Sequence, residues 1–426
     1  MPTSTKSVIW RPYTQEGMAT PPIAIERAEG AYLYTRDGQR LFDGISSWWV
    51  ITHGHCHPRI VEAIQTQAAR VDQVIFANFT HAPAEQLAEK LIRVAPAKSK
   101  HVFFSDNGST AVESALKMTL QACAQRGQPE KTQFVAFAKA YHGDTVGAMS
   151  VGGDGIFTRP YRPTLFSIHR AQQPENASAD VDAYVSDFAR ILEQHHSTIA
   201  GVILEPLLQA AAGMVVWRKE AVQKVADLCR RYKVYLIFDE VMTGFGRTGS
   251  LFATDQLGVE PDLICLSKGL TGGALPLAVT LSSDDIYQAF LSNDKAKMFF
   301  HGHSFTGNPI ACAAASASLD LFSSESTLHR IAQIETVQRE QLQRLADRQA
   351  IQNARICGTM AAFEVTTKKV GYGSAISENI TQTAIKHGLF IRPLGNTVYL
   401  LPPYCSTRED LEQAWNVIER TLQEFE

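Results

Sequence analysis

The chain has 426 residues, of which 45% are hydrophobic and 19% charged, with a formal net charge of −3. That length supports a large core and more than one domain, and the near-neutral balance argues against nucleic acid or an anionic membrane surface as a main partner. The opening residues, MPTSTKSVIWRPYTQ, hold no apolar run of the signal-peptide kind, and no apolar stretch approaches the roughly 20 residues of a membrane helix. The 7 cysteines are scattered and form no CxxC, so reduced thiols in a cytoplasmic protein are expected, with neither a disulfide frame nor a metal site.

In chain order, residues 1–58 are irregular and aromatic. AYLYTRDGQRLFDGISSWWV reads as a β-meander broken at Asp37-Gly38 and Gly44. From Arg59 helices and strands alternate. RIVEAIQTQAAR and APAEQLAEKLIRV have helical periodicity, HVFFS is a strand, and SDNGSTAVESALKMTLQACA is a helix entered through a glycine. QFVAFAK, AGVILEP, VYLIFDE, DLICLSK and ALPLAVTLS supply further strands, which predicts an α/β fold with a mostly parallel, doubly wound sheet. NPIACAAASASLDLF is a helix rich in small residues, and an amphipathic helix is expected near Leu328 to Arg348. Short strands (ICGTMAAFEV, LFIRP, TVYLLPPY) and terminal helices close the chain. The expected division is a large domain, 59–325, and a smaller α+β domain built from 1–58 with 326–426.

The stretch from Val234 to Gly269 organises the rest. VYLIFDE and DLICLSK read as buried parallel strands, nearly continuously apolar because both sheet faces are covered. Ligands of open α/β sheets bind beyond the carboxyl ends of the strands, so Asp239 and Lys268 can face one site. An amine and an acid so placed suit pyridoxal 5'-phosphate: the lysine condenses with the aldehyde to a Schiff base, and the aspartate keeps the pyridine nitrogen protonated. The plainer alternative is a solvated lysine and a polar strand end. Gly269, Gly272 and Gly273 favour the first reading, since they allow backbone to approach a ligand closely.

Other stretches carry chemistry with open alternatives. Gly108, Ser109 and Thr110 in SDNGSTA either cradle an anion at a helix N-terminus or merely cap it. Tyr141, in YHGD, either stacks on a planar cofactor or lies at the core's edge. Glu205 either orients other groups or ends a strand in solvent. In HGHSFTGNP a loop reaching a ligand or a partner subunit is expected over metal binding by His301 and His303. Arg392, in IRPLG, suits either bidentate capture of a carboxylate or a structural ion pair.

Taken together, FDEV, GFGRTG and SKGLTGG resemble the class III, subgroup II, pyridoxal-phosphate aminotransferases of fold type I, and the resemblance runs over essentially the whole chain. WRPYTQ, DGISSWWVITHGHCHP, AYHGDTVGAMSV, FFHGHSFTGNPIACAAA and IRPLGNTVYLLPPY place it nearest the family's biotin-pathway branch. The resemblance implies a homodimer with shared active sites that moves an amino group from S-adenosylmethionine to 8-amino-7-oxononanoate. Lysine is an alternative donor; ornithine, 4-aminobutyrate or a diamine are alternative substrates. It implies Lys268 as the Schiff-base lysine, Asp239 at the ring nitrogen, Gly108 and Ser109 on the phosphate, and His303 and Ser304 reaching it from the other subunit. Tyr141 would stack on the ring. Tyr13, Trp48 and Trp49 would line the substrate pocket, Gly302 would touch substrate, and Arg392 would receive the keto acid's carboxylate. Tyr13 is also implied in catalysis, and Asp144 and Arg247 are further candidates for substrate contact. Two departures stand out: PLLQAAAGM replaces the family's more usual Gly-rich QGAGGM, and His303 stands where proline is common.

Overall fold

The structure is a computed structural model that describes residues 8–17, 20–175, 179–345, 348–366 and 375–424. Its centre is a seven-stranded sheet. From edge to edge the strands are Ser99–Ser105, Ala278–Ser283, Leu263–Leu266, Tyr235–Asp239, Ile199–Leu204, Gln133–Phe137 and His169–Ala171. The last five run parallel, whereas Ala278–Ser283 is antiparallel to both of its neighbours. The sheet is therefore mostly parallel as expected, and the exception lies in ALPLAVTLS, whose apolar run carries no sign of direction.

Side chains alternate across the sheet. Leu236 and Phe238 pack on one face with Phe188, Leu192, Val222 and Val225, which come from the helices Val181–His195 and Lys219–Tyr232. Ile237 points the other way, onto Ala111, Val112 and Ala115 of the helix Gly108–Gln125. Both faces are thus sealed, at roughly 1.5–3 kcal/mol of stabilisation per large apolar side chain buried. The two helices on the first face were not singled out in the sequence; the loops that lead into them blur their start.

A second sheet ties the two ends of the described chain together. Ile25–Glu29, Tyr32–Thr35 and Arg40–Asp43 form an antiparallel meander, and Leu389–Phe390 adds in parallel to Arg40–Asp43. A third sheet holds Ile351–Cys357, Met360–Val365 and Thr397–Leu400. ICGTMAAFEV is therefore a hairpin and not one strand: Gly358, at φ 54°, turns the chain. The helix Thr327–Leu345 packs on Arg408–Gln423, where the Trp415 indole donates to Gln338 at 2.7 Å.

The meander does not continue into SSWW. Ser46, Ser47, Trp48 and Trp49 all have positive φ, at 52°, 46°, 70° and 72°, and form one left-handed helical turn. Trp49 N–H donates to the Ile45 carbonyl at 2.8 Å and Val50 N–H to that of Ser46 at 3.0 Å. Left-handed helix costs roughly 1–2 kcal/mol per non-glycine residue, so neighbouring groups must hold the turn. No helix among the described residues is long and apolar enough to cross a membrane.

Candidate active site

Asp239 ends its strand in register with Cys265 of the next strand, and Lys268 follows that strand by two residues at φ 46°. Both line one cavity of about 470 Å³ beyond the carboxyl ends of the parallel strands, as the strand-end rule predicts. Asp239 is 5% exposed. Its carboxylate accepts from Val241 N–H at 3.0 Å and meets Nδ1 of the buried His142 at 2.7 Å. The Lys268 amine is 4.8 Å from the centre of the Trp49 ring. Enclosure by the cavity walls lowers its pKa to about 8, against the opposing pull of the Asp239 and Glu205 charges. Glu205 is buried and accepts from Tyr141 N–H at 3.1 Å and Ala210 N–H at 3.3 Å; burial raises its pKa to about 7. It is an orienting group and not a solvated strand end.

The glycines after Lys268 let this turn pack closely on neighbouring chain, and Gly273 also lines the cavity. A Cβ on Gly273, at φ 87°, would sit 2.6 Å from the Val50 carbonyl oxygen, so the lysine turn packs directly on the segment after Trp49.

The opposite wall is the start of the helix Gly108–Gln125. Asn107 caps it, accepting Thr110 N–H at 3.1 Å, so the capping reading holds. Gly108 and Ser109 also line the cavity, and N–H groups in a helix's first turn have no intrahelical acceptor. Capping therefore leaves first-turn N–H groups beside the cavity. Asp144 N–H donates to the Ser109 hydroxyl at 3.0 Å. Gly143, at φ 127°, makes that approach possible, since a Cβ there would fall 1.9 Å from the Ser109 oxygen.

Tyr141 lines the cavity, and its hydroxyl lies 3.4 Å from that of Tyr13. The Tyr13 hydroxyl also donates to Asp144. Its ring meets Trp48 edge-on at 5.4 Å and Phe157 at 5.9 Å. The Arg392 guanidinium stacks 4.9 Å over Trp48 and donates to the Tyr13 carbonyl at 3.4 Å. Tyr13, Trp48, Asp144 and Arg392 thus form one cluster joined to the Lys268 cavity through Tyr141. Beside it lies a second cavity of about 600 Å³ that shares Tyr141, His142, Gly143 and Ala211 with the first and is lined also by Asp144 and Phe157.

Other candidate residues lie outside both cavities. Arg247 is buried and lines neither cavity; it donates to protein oxygens of the Ser46–Trp49 region. Gly302, His303 and Ser304 also line neither cavity: His303 turns on Thr306, and the Ser304 carbonyl accepts from Gln73 at 2.8 Å. His301 takes a hydrogen bond from Lys117 at 3.0 Å. Sequence reasoning missed His142 and Phe157. The signal for His142 was its place beside Tyr141, at a strand end near an acid of the same sheet; nothing in the sequence marks Phe157.

The whole of this geometry lies within residues 13–422, which match the family model for aminotransferase class-III. The chain belongs to the class III aminotransferases. It is 45% identical to the adenosylmethionine-8-amino-7-oxononanoate aminotransferase of Synechococcus elongatus, over 98% of this chain and 99% of that protein. The crystal structure of the enzyme of that name from Methanocaldococcus jannaschii superposes with a TM-score of 0.93 at 34% identity, covering 98% of this chain and 97% of the other. The omega transaminase from Pseudomonas jessenii, in complex with PMP, superposes with a TM-score of 0.92 at 28% identity, covering 98% and 96%. As a class III aminotransferase the chain is a pyridoxal-phosphate-dependent enzyme of fold type I. The residues fit that cofactor: a buried carboxylate, an enclosed amine of lowered pKa and a helix N-terminus line one cavity, and Nε2 of His142 is buried there without a hydrogen-bond partner.

Proposed function

We propose that this aminotransferase moves an amino group from S-adenosylmethionine to 8-amino-7-oxononanoate, giving 7,8-diaminononanoate for biotin synthesis in the cytoplasm. The observation that carries this reading is the cluster of Tyr13, Trp48, Asp144 and Arg392 beside the Lys268 cavity. Aromatic faces attract a sulfonium through cation–π contact and an alkyl chain through apolar contact, so one wall serves both substrates in turn. Arg392 supplies a fork for the keto acid's carboxylate, and Asp144 and Tyr13 supply polar contacts near its amine.

Bound pyridoxal phosphate supplies an aldehyde carbon that captures amines and a ring that withdraws electrons. Gly108 and Ser109 would hold its phosphate, and Tyr141 would flank its ring. Asp239, oriented by His142 and Val241 N–H, holds a proton at the ring nitrogen. Lys268 would carry the proton from the donor's α-carbon to the cofactor carbon that takes up the amine, and in the second half from that carbon to the acceptor's former carbonyl carbon. Its pKa of about 8 keeps a useful fraction of the amine unprotonated near neutral pH. Tyr13 orders the substrate through its hydroxyl, and Trp49 shields the lysine from water.

The domain division 59–325 against 1–58 with 326–426 serves this reading. The large part would hold the cofactor, and the small one would bring Trp48, Trp49 and Arg392 to it. We also assign a homodimer in which Gly302, His303 and Ser304 serve the site of a second copy. Phe300 and Phe305 beside them, and Ile75 and Phe79 on a neighbouring segment, are each 60% exposed or more, as at an unsatisfied interface. The decisive experiment measures each half-reaction on purified enzyme by cofactor absorbance, with S-adenosylmethionine or lysine as donor and the keto acid as acceptor. Diamine formation after loading with S-adenosylmethionine is expected. Loading by lysine alone moves the assignment to the lysine-dependent variant, and no reaction with the keto acid refutes it.

A further inference from the structure

The hairpin formed by Leu208–Gln209 and Val215–Val216 carries Ala210–Met214 at its tip. This tip stands between the two cavities: Ala211 lines both, and Ala212 and Gly213 line the second. Gly213 and Met214 turn the chain at φ 95° and 57°, and their N–H groups donate to the Ala210 carbonyl at 3.1 and 2.8 Å. The Ala210 N–H in turn donates to Glu205 at 3.3 Å. Met214 is a buried non-glycine residue in left-handed backbone, and strain of this kind persists only where the surroundings over-determine it.

The restraint comes from the third sheet. Arg355 is buried and lines neither cavity. Its Nε donates to the Met214 carbonyl at 2.8 Å and its Nη2 to the Gly213 carbonyl. Nη1 donates to the Asn353 carbonyl and pairs with Glu364 at 3.2 Å. One guanidinium thus ties two consecutive carbonyls of the tip to a carboxylate of the sheet.

A β-bulge makes this reach possible. Gln352 opposes Glu364 and Arg355 opposes Ala362, so Asn353 and Ala354 together face Phe363 alone. Side chains alternate along a strand, and directly opposed residues share a face. Without the extra residue Arg355 would oppose Ala361 and leave by the other face, since a one-residue slip reverses every side chain. With it, Arg355 and Glu364 lie on one face and meet. Bulges re-aim side chains in this way beside active sites. The tip's own sequence adds to the restraint. Ala210 and Ala212 stand where the family more usually has glycine, and alanine has fewer backbone conformations to lose.

We propose that Arg355 is a positioning residue for aminotransfer: through the Gly213 and Met214 carbonyls it fixes Ala210–Met214 as a rigid partition between the two cavities, and so determines how the amino donor is held across them. The part of the donor beyond its reacting carbon extends past Ala211 into the second cavity, and Arg355 itself touches no substrate. Arginine is required because its planar fork spans both carbonyls and the carboxylate, whereas a lysine ammonium is a single point. The link to the donor rests on the aminotransfer proposed above.

The test is Arg355→Lys in the holoenzyme. The donor is S-adenosylmethionine, or lysine if lysine alone loads the wild-type enzyme, so a failure of the donor assignment is seen first and separately. Without substrate, exchange in the peptide holding the Ala210, Gly213 and Met214 amides should quicken at least about tenfold, while the strand Tyr235–Asp239 stays protected. In the donor half-reaction the concentration for half-saturation should rise about tenfold and the saturating rate should stay within about threefold, as for binding that ground and transition states share. Raised half-saturation with unchanged exchange at the tip would make Arg355 act on the donor directly and overturn the proposal. Faster exchange throughout the protein would reduce the residue to general stability, and a loosened tip with unchanged half-saturation would sever the partition from donor binding; either result overturns it. Should Arg355→Lys fail to fold, Glu364→Gln weakens the anchor of the same guanidinium and should quicken tip exchange about threefold; unchanged exchange there overturns the proposal as well.

Discussion

The strand ends that carry Asp239 and Lys268 and the turn that carries Trp49 face one cavity, yet they are built by opposite means. The strand ends follow from local pattern: apolar β-branched runs, buried on both faces, stop where the sheet stops, and polar residues come next. Their geometry is that of any parallel sheet, and the chemistry lies in which side chains occupy the edge. The turn has no local reason to exist. Four non-glycine residues take a backbone that their own sterics disfavour, held by Asp43 from the meander and Arg247 from the loop after Tyr235–Asp239. One region is specified by its own sequence and the other by its neighbours, so substitutions should cost catalysis in the first and order or stability in the second.

Several substitutions can break or sharpen that contrast. Lys268→Ala removes both the amine that engages the cofactor and the proton carrier. Turnover should fall by about 10⁴-fold or more, beyond the usual range for one acid–base group alone, while thermal unfolding of the apoenzyme stays close to wild type. A large loss of stability would mean that this strand end is structural after all. Asp239→Asn keeps acceptors for Val241 N–H but removes the charge opposite the cofactor ring. Breaking a buried charge pair costs about 3–5 kcal/mol, so single-turnover rates should drop about 10²- to 10⁴-fold with the circular dichroism spectrum unchanged.

Arg392→Ala loses a charge-assisted hydrogen bond worth about 1.5–3 kcal/mol. kcat/KM for the keto acid should decline about ten- to a hundredfold and the donor half-reaction less; equal losses in the two half-reactions would make Arg392 structural or shared. On the side of the turn, Asp43→Ala strips the acceptor for Ser47 and for His55, which lies 2.8 Å from the carboxylate. Calorimetry should show a loss of about 1–3 kcal/mol, with cofactor affinity affected less than stability. The smallest effect concerns pH. The rate at which apoenzyme takes up cofactor should rise with pH through an inflection near 8 and level off above it, as the Lys268 amine loses its proton. The Glu205 carboxylate raises that pKa by its charge, so in Glu205→Gln the inflection should move to lower pH; a move upward would contradict the assigned coupling.

These two regions also explain how far the sequence could be read. Most strands of the central sheet, the helix Gly108–Gln125 and the pair Asp239 and Lys268 were legible because period and strand ends are local properties; the edge strand His169–Ala171 and the helices Val181–His195 and Lys219–Tyr232 were not. The direction of Ala278–Ser283 was not, since an apolar run reads alike both ways. The left-handed turn was invisible because its cause lies in residues far along the chain, and the oxygens that Arg247 reaches are known only once the chain is folded. His142 lay in view as part of YHGD, but only the folded register brings it to Asp239.

The antiparallel strand Ala278–Ser283 has a consequence for biosynthesis. Ser99–Ser105, the first strand of the main sheet to be translated, is an edge strand whose sole neighbour in the sheet is this late one. While the intervening chain is being made, the early strand has no partner on either side, and unpaired strand edges are templates for association with other chains. The pairing closes a long loop, which slows its formation further. A nascent chain that stalls before residue 278 therefore presents Val102, Phe103 and Phe104 on an open edge, and the interval before that residue emerges is when this protein most needs protection from its own kind.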